Sequence, residues 1–216
     1  MTLLLKNSLP AERNRGCCFA ENFDSVEAFY KNGGTITGTP IFRPGYVTFN
    51  GASRIDYNIG NPSIHLNGPF TLIIKIVPVA VAALSVIVGF GKSDLTNGPY
   101  IGIDSLIGTD NIWIGNYGGA LKGTFKFDGY PHQIAYTSAG APPDAVTAVK
   151  LYVDGILKNS GTPFSININH PTVFMGDHLS GGYPYTGIIN WVRLFSQELS
   201  IEEVAAYANN TMWSVI

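Results

Sequence analysis

Two carboxyl groups about 5 Å apart, one with a raised pKa, can cleave a glycosidic bond with retention. This chain offers few ways to build that pair. It has 216 residues and only six glutamates: Glu12, Glu21, Glu27, Glu198, Glu202 and Glu203. None falls between residues 28 and 197, where most strand signals lie. Asp104, Asp110, Asp128 and Asp177 do lie there, but no two stand at i, i+2, the spacing that puts both on one strand face. Other chemistries are no better served. There is no Gly-x-Ser-x-Gly elbow for a nucleophilic serine. "GFGKS" (89 to 93) has the tail of a phosphate loop, but the upstream glycine such a loop needs is Val86. His65, His132, His170 and His178 are scattered, without metal-ligand spacing. The residues predict a protein that is not an enzyme and carries no cofactor.

Calcium sites gather oxygen ligands from acidic, flexible loops. Asp110-Asn111 and Asp177 supply loop oxygens, but neither belongs to an acidic cluster. They read as turn formers, and no metal is expected. Binding chemistry is better represented. A sugar stacks its apolar face on an aromatic ring and offers its hydroxyls to carboxylates, amides and backbone groups. "DHLSGGYPY" (177 to 185) supplies Asp177, His178, Tyr183 and Tyr185 in a Gly-rich loop. "WIGNYGG" (113 to 119) supplies Trp113, Asn116 and Tyr117. These are the candidate ligand-binding residues. The competing reading makes Trp113 core and the tyrosines loop covers or subunit contacts.

The elements that must position them are mostly strands. Only 13% of residues are charged, while 25 are Gly and 13 are Pro. That profile fits many short strands joined by tight turns. "RIDYNIG" (54 to 60) alternates Ile55, Tyr57 and Ile59 with polar residues, a half-buried strand. In "VKLYVDGILKN" (149 to 159), Asp154-Gly155 between apolar runs predicts a type I′ hairpin. Ten to twelve such strands imply a sandwich or barrel. "FTLIIKIVPVAVAALSVIVGF" (70 to 90) is long enough to imitate a membrane span, but Lys75, Pro78 and its Val/Ile content predict two buried strands. One helix is expected, near the C-terminus. Ser200 is its N-cap, Glu203 completes a capping box, and Leu199 with Val204 forms a hydrophobic staple.

Residues 1–20 read as an N-terminal arm and 21–216 as one sandwich domain. The arm "MTLLLKNSLPAERNRG" lacks the order of a signal peptide. Cys17 and Cys18 are sequence neighbours, so no disulfide framework is expected. The net charge is −2, and without a basic stripe no nucleic-acid partner is expected.

Three segments carry a resemblance: "GYVTFNGASRIDY", "PHQIAYT" with Tyr152-Val153-Asp154-Gly155, and "YTGIINWVRLFSQELSIEEVAAY". Over about residues 20 to 210 the chain resembles the laminin-G-like, concanavalin-A-like lectin/glucanase superfamily. The resemblance implies an all-β, antiparallel two-sheet jelly-roll sandwich with one short C-terminal helix. Glycosidases of that superfamily carry a Glu-x-Asp-x-Glu strand, which is absent here. The expectation is a non-catalytic, lectin-like virion protein, decorating a phage capsid or associated with its tail. Its partners would be viral-particle subunits, with glycans as a second partner, and it would be oligomeric or assembly-bound. A soluble carbohydrate-binding lectin module, cytoplasmic or exported by another route, is the alternative. A glycosidase ranks third.

Overall fold

The computed structural model describes residues 16–59, 68–79, 84–91, 98–104, 111–116, 119–140, 148–162, 172–178 and 181–209. The chain begins with β1 (Cys17–Glu21), α1 (Val26–Lys31), β2 (Gly34–Thr37), β3 (Ile41–Arg43), β4 (Tyr46–Asn50) and β5 (Arg54–Asn58). It continues through β6 (Phe70–Pro78), β7 (Ser85–Phe90), β8 (Tyr100–Asp104), β9 (Asn111–Asn116) and β10 (Gly119–Thr124). Then come β11 (His132–Ser138), β12 (Val149–Val153), β13 (Ile156–Gly161), β14 (Thr172–Met175), β15 (Thr186–Phe195) and α2 (Ile201–Ala208).

The strands form two sheets, and every pairing is antiparallel. Sheet A has the order β13-β12-β11-β6-β15-β4-β3, with β1 laid against β15. Sheet B has the order β10-β9-β8-β7-β14-β5-β2. This is the two-sheet antiparallel sandwich that the resemblance implies, and it resolves the choice of sandwich or barrel that the alternation left open. Helix α1 has no counterpart in the sequence reading; it is six residues long, and its N-cap Ser25 accepts a hydrogen bond from the Ala28 amide. Strand β1 starts at Cys17, so the sandwich already begins within the stretch read as an arm. Residues 1–15 lie outside the described residues.

Alternation fills the space between the sheets. Ile74, Ile76, Ile134 and Val192 of sheet A share one core with Ile55, Ile101, Ile112 and Val173 of sheet B. The membrane-like run divides between β6 of sheet A and β7 of sheet B. Both strands are buried along nearly their whole length, so apolar residues fall on both of their faces, interrupted by Lys75, and the run is almost continuous. Among the described residues no helix is long and apolar enough to cross a membrane.

The outer face of sheet A is covered by α2. Its Val204 and Tyr207 join Leu199, Ile73, Ala135, Tyr152 and Phe195 in a second apolar cluster. An eight-residue helix is too short to persist alone in water, so packing and capping hold it. Both halves of the capping box are present: Ser200 Oγ accepts from the Glu203 amide, and the Glu203 carboxylate accepts from the Ser200 amide.

The hairpin turn after β12 is also as expected, with Asp154 at φ 51° and Gly155 at φ 75°. Asp154 does more than turn the chain. His132 lies between two carboxylates, Nδ1 2.7 Å from Asp154 and Nε2 2.9 Å from Asp128. Burial disfavours the imidazolium, but hydrogen bonds to Asp154 and Asp128 outweigh it and raise the His132 pKa. The same bond lowers that of Asp128. The clamp ties the loop after β10 to the β12–β13 turn.

Two outcomes follow. Replacing Ser200 with Ala should cost about 1 kcal/mol in urea unfolding through the lost cap; an unchanged midpoint would mean the cap does not hold α2. The His132 clamp is at full strength below the pKa of an unfolded histidine, about 6.5, and fades as pH rises through the higher folded value. The destabilisation caused by His132→Gln should therefore shrink between about pH 6 and pH 9. A difference that stays constant or grows over that range would rule the charged clamp out.

Candidate functional site

The outer face of sheet B carries a third apolar cluster, built from Val86, Tyr100, Trp113 and Phe174 with Leu84 and Tyr183 against it. Its geometry follows from register. Thr35, Asp56, Phe174, Gly89, Tyr100 and Gly115 stand opposite one another in a row across six strands. A neighbouring row holds Val86, Gly102, Trp113 and Lys122. The glycines in these rows make room for rings. A Cβ at Gly89 would strike Tyr100 and Phe174, and one at Gly102 would strike the Trp113 indole. The Tyr100 and Phe174 rings thus close over Gly89, and the indole lies over Gly102.

Charged pairs flank the aromatic cluster. Lys122 pairs with Asp104 toward one edge. Toward the other, Arg54 Nε donates to Asp56 Oδ2 at 3.0 Å, and Arg54 Nη1 reaches the His178 carbonyl at 3.4 Å. Burial raises the Asp56 pKa despite the opposing pull of Arg54. Among the described residues, two buried polar atoms on this face have no hydrogen-bond partner: Trp113 Nε1, a donor, and Asp56 Oδ1, an acceptor.

The loop after β14 lies over the cluster. Asp177 Oδ1 accepts from the amides of His178 at 2.7 Å and Tyr183 at 2.8 Å, closing the loop on itself. His178 is fully buried. Its ring meets those of Tyr100 and Phe174 edge-on, at 5.0 and 5.6 Å, and its Nε2 pairs with the Tyr100 hydroxyl at 3.1 Å. Tyr183 is partly exposed and stands edge-on to His178 at 6.2 Å.

The fold therefore brings Trp113, Asp177, His178 and Tyr183 together, although their loops are far apart in sequence. Trp113 retains only 6% of its surface exposed, so its indole is a covered wall of the cluster. Tyr185 leaves the group: it is buried in the inter-sheet core against Phe49, and its hydroxyl donates toward the Ile188 carbonyl at 3.3 Å. Asn116 ends β9. Tyr117 and Asp110 lie outside the described residues. Sequence reasoning passed over Tyr100, Phe174, Arg54 and Lys122. Their signal is alternation: in "YIGID", Tyr100, Gly102 and Asp104 must share a face once Ile101 and Ile103 point inward. Among the described residues no group of three or more His, Cys, Asp or Glu converges as a metal site.

No protein-family model matches the chain, and no curated protein matches it. Solved structures do share its fold. One is domain 4 of AbnA, a GH43 extracellular arabinanase from Geobacillus stearothermophilus, in complex with arabinotriose. It is 21% identical, with a TM-score of 0.60 over 81% of this chain and 87% of that one. The botulinum neurotoxin serotype D binding domain is 13% identical with a TM-score of 0.65, over 92% of this chain and 53% of that one. A botulinum neurotoxin type C structure, described with cell entry that depends on two ganglioside molecules, is 14% identical with a TM-score of 0.64. The chain spans about half the length of these toxin chains. These likenesses show the fold, an antiparallel two-sheet β-sandwich.

Introducing a methyl group at Gly102 should push the indole off its seat. Gly102→Ala is expected to lower stability by about 1–3 kcal/mol and to shift the tryptophan emission. Parent-like stability and emission would mean that the indole does not rest on Gly102.

Proposed function

We propose that this chain is a non-catalytic carbohydrate-binding module, and that its ligand lies on the outer face of sheet B. One observation supports this above the others. The aromatic cluster holds a buried donor, Trp113 Nε1, and one of the two charged pairs flanking it holds a buried acceptor, Asp56 Oδ1, neither with a hydrogen-bond partner among the described residues. Unpaired buried polar groups are costly, and a polyol brings both the acceptors and the donors that would pair them. Tyr183, at the surface of the cluster, is the ring a sugar would meet first. Trp113, Asp177 and His178 shape the site beneath it.

The fold comparison agrees with this reading, since the arabinanase domain was solved with a trisaccharide. It offers nothing toward a virion-assembly role, so the carbohydrate module ranks above the virion protein. Chemistry on the face also favours binding over turnover. Asp104 and Asp56 lie on strands β8 and β5, three strand spacings or about 14 Å apart. Two-carboxylate hydrolysis needs separations of about 5 to 9.5 Å.

A glycan array that includes arabinotriose tests the reading. At least one oligosaccharide should bind saturably, and both Tyr183→Ala and Arg54→Ala should weaken it about tenfold, within the range expected for truncating an interface anchor. No saturable glycan, with or without added calcium, would sink the proposal.

A further inference from the structure

A second set of unpaired groups lies on the opposite side of the molecule. Gln133 on β11 is 3% exposed, yet neither Oε1 nor Nε2 of its amide has a hydrogen-bond partner. Its place follows from register. Gln133 stands opposite Lys75 on β6, and Lys75 opposite Trp191 on β15. Directly opposed residues share a face. Two residues along, Ala135 and Ile73 lie beneath α2 in the outer cluster of sheet A, so this row is on the outer face as well, beside the helix.

Each member has unused binding capacity. Lys75 and Trp191 are partly exposed. Lys75 has no carboxylate partner among the described residues. The Trp191 ring has the Arg193 guanidinium 5.4 Å from its centre and the Tyr207 ring at 6.3 Å. A bulge in β15 falls between Ile189 and Trp191. Asn190, the residue within it, has an unpartnered Oδ1.

We propose that Lys75, Gln133, Asn190 and Trp191 form a second glycan site that selects acidic sugars, such as uronic or sialic acid residues. The Lys75 ammonium and Gln133 Nε2 are donors matched to a carboxylate. Gln133 Oε1 and Asn190 Oδ1 are acceptors for ring hydroxyls. The indole of Trp191 supplies the apolar wall. A neutral sugar would leave the ammonium unanswered, and a simple carboxylate would leave the two acceptors unpaired. Lys75 stands between Gln133 and Trp191, and with no acid holding it, its flexible stem can swing aside to admit a ligand to the amide. The inference extends the carbohydrate-module reading to a second face and does not depend on the sheet B site.

The test is an array pairing sialylated and uronate-containing glycans with their neutral counterparts. It is run on the parent chain and on Lys75→Met, Gln133→Met and Tyr183→Ala. Acidic glycans should bind preferentially, and more weakly as salt rises. Lys75→Met and Gln133→Met should each lose about tenfold in affinity, the loss expected when a charge-assisted hydrogen bond to the ligand is removed. Gln133→Met should keep or raise the unfolding midpoint, because the orphan amide is gone; a binding loss would then not be a folding loss. Acidic-glycan binding that survives Tyr183→Ala but not Lys75→Met supports the second site independently. Acidic glycans bound no better than neutral ones would overturn it, as would parent-like affinity in both Met variants. Neutral-glycan binding lost in Tyr183→Ala, with acidic glycans bound no better than neutral ones by any variant, would uphold the sheet B reading while overturning this one.

Discussion

Strands β6 and β7 carry apolar residues on both faces, with Lys75 the one charge between them, and much of this structure answers the need to cover the second face of each sheet. Between the sheets the solution is ordinary interdigitation of alternate side chains. Outside them the chain uses two different covers. Helix α2 lies on sheet A, its Val204 and Tyr207 packed over Ile73, Ala135 and Phe195. The loop after β14 lies on sheet B, its His178 buried against Tyr100 and Phe174. A helix satisfies its own backbone and needs help only at its ends, which the capping box at Ser200 provides. A loop has no such internal ladder, and Asp177 serves it instead by taking two backbone amides on one carboxylate oxygen.

Neither cover is complete for polar atoms. Trp113 Nε1 and Asp56 Oδ1 are stranded on sheet B, and the Gln133 amide on sheet A. Trp113 belongs to the cluster that Tyr183 packs against, Asp56 is paired with Arg54, and Gln133 shares a row with Lys75 and Trp191. The two outer faces thus combine apolar surface with unspent hydrogen-bonding capacity, which is the mixture a polyhydroxylated ligand matches. The rim is satisfied differently. At the β12–β13 turn, His132, Asp128 and Asp154 answer one another, so that cluster works as a structural clamp between two loops.

The fold was legible because its signals are local. Period-two alternation in "RIDYNIG" puts Ile55 and Tyr57 into the core, Asp154-Gly155 needs two positive φ values, and Ser200 with Glu203 writes out a helix start. Helix α1 was missed because six residues leave little periodic pattern to detect. The site was legible only in part. Composition pointed to the Asp177–Tyr185 and Trp113 segments, and register does join Trp113, Asp177, His178 and Tyr183. Sequence could not tell Tyr183 from Tyr185, which end at the outer cluster and in the inter-sheet core respectively. Nor could it show that Trp113 would join a cluster with Tyr183, a residue seventy positions away. Arg54 opens a strand read from alternation and Lys122 falls between the strands read from sequence, and only the sheet order makes them the borders of one face.

The central claim is that the outer face of sheet B receives the ligand, and the indole N–H of Trp113 reports on it directly. Isotope-labelled protein titrated with the best-bound neutral array glycan gives the decisive spectrum. The account predicts that the Trp113 indole resonance and the amides of Gly89 and Gly102 move together and saturate at one ligand concentration. An indole resonance that stays fixed while residues elsewhere respond would place the ligand on another surface and contradict the account.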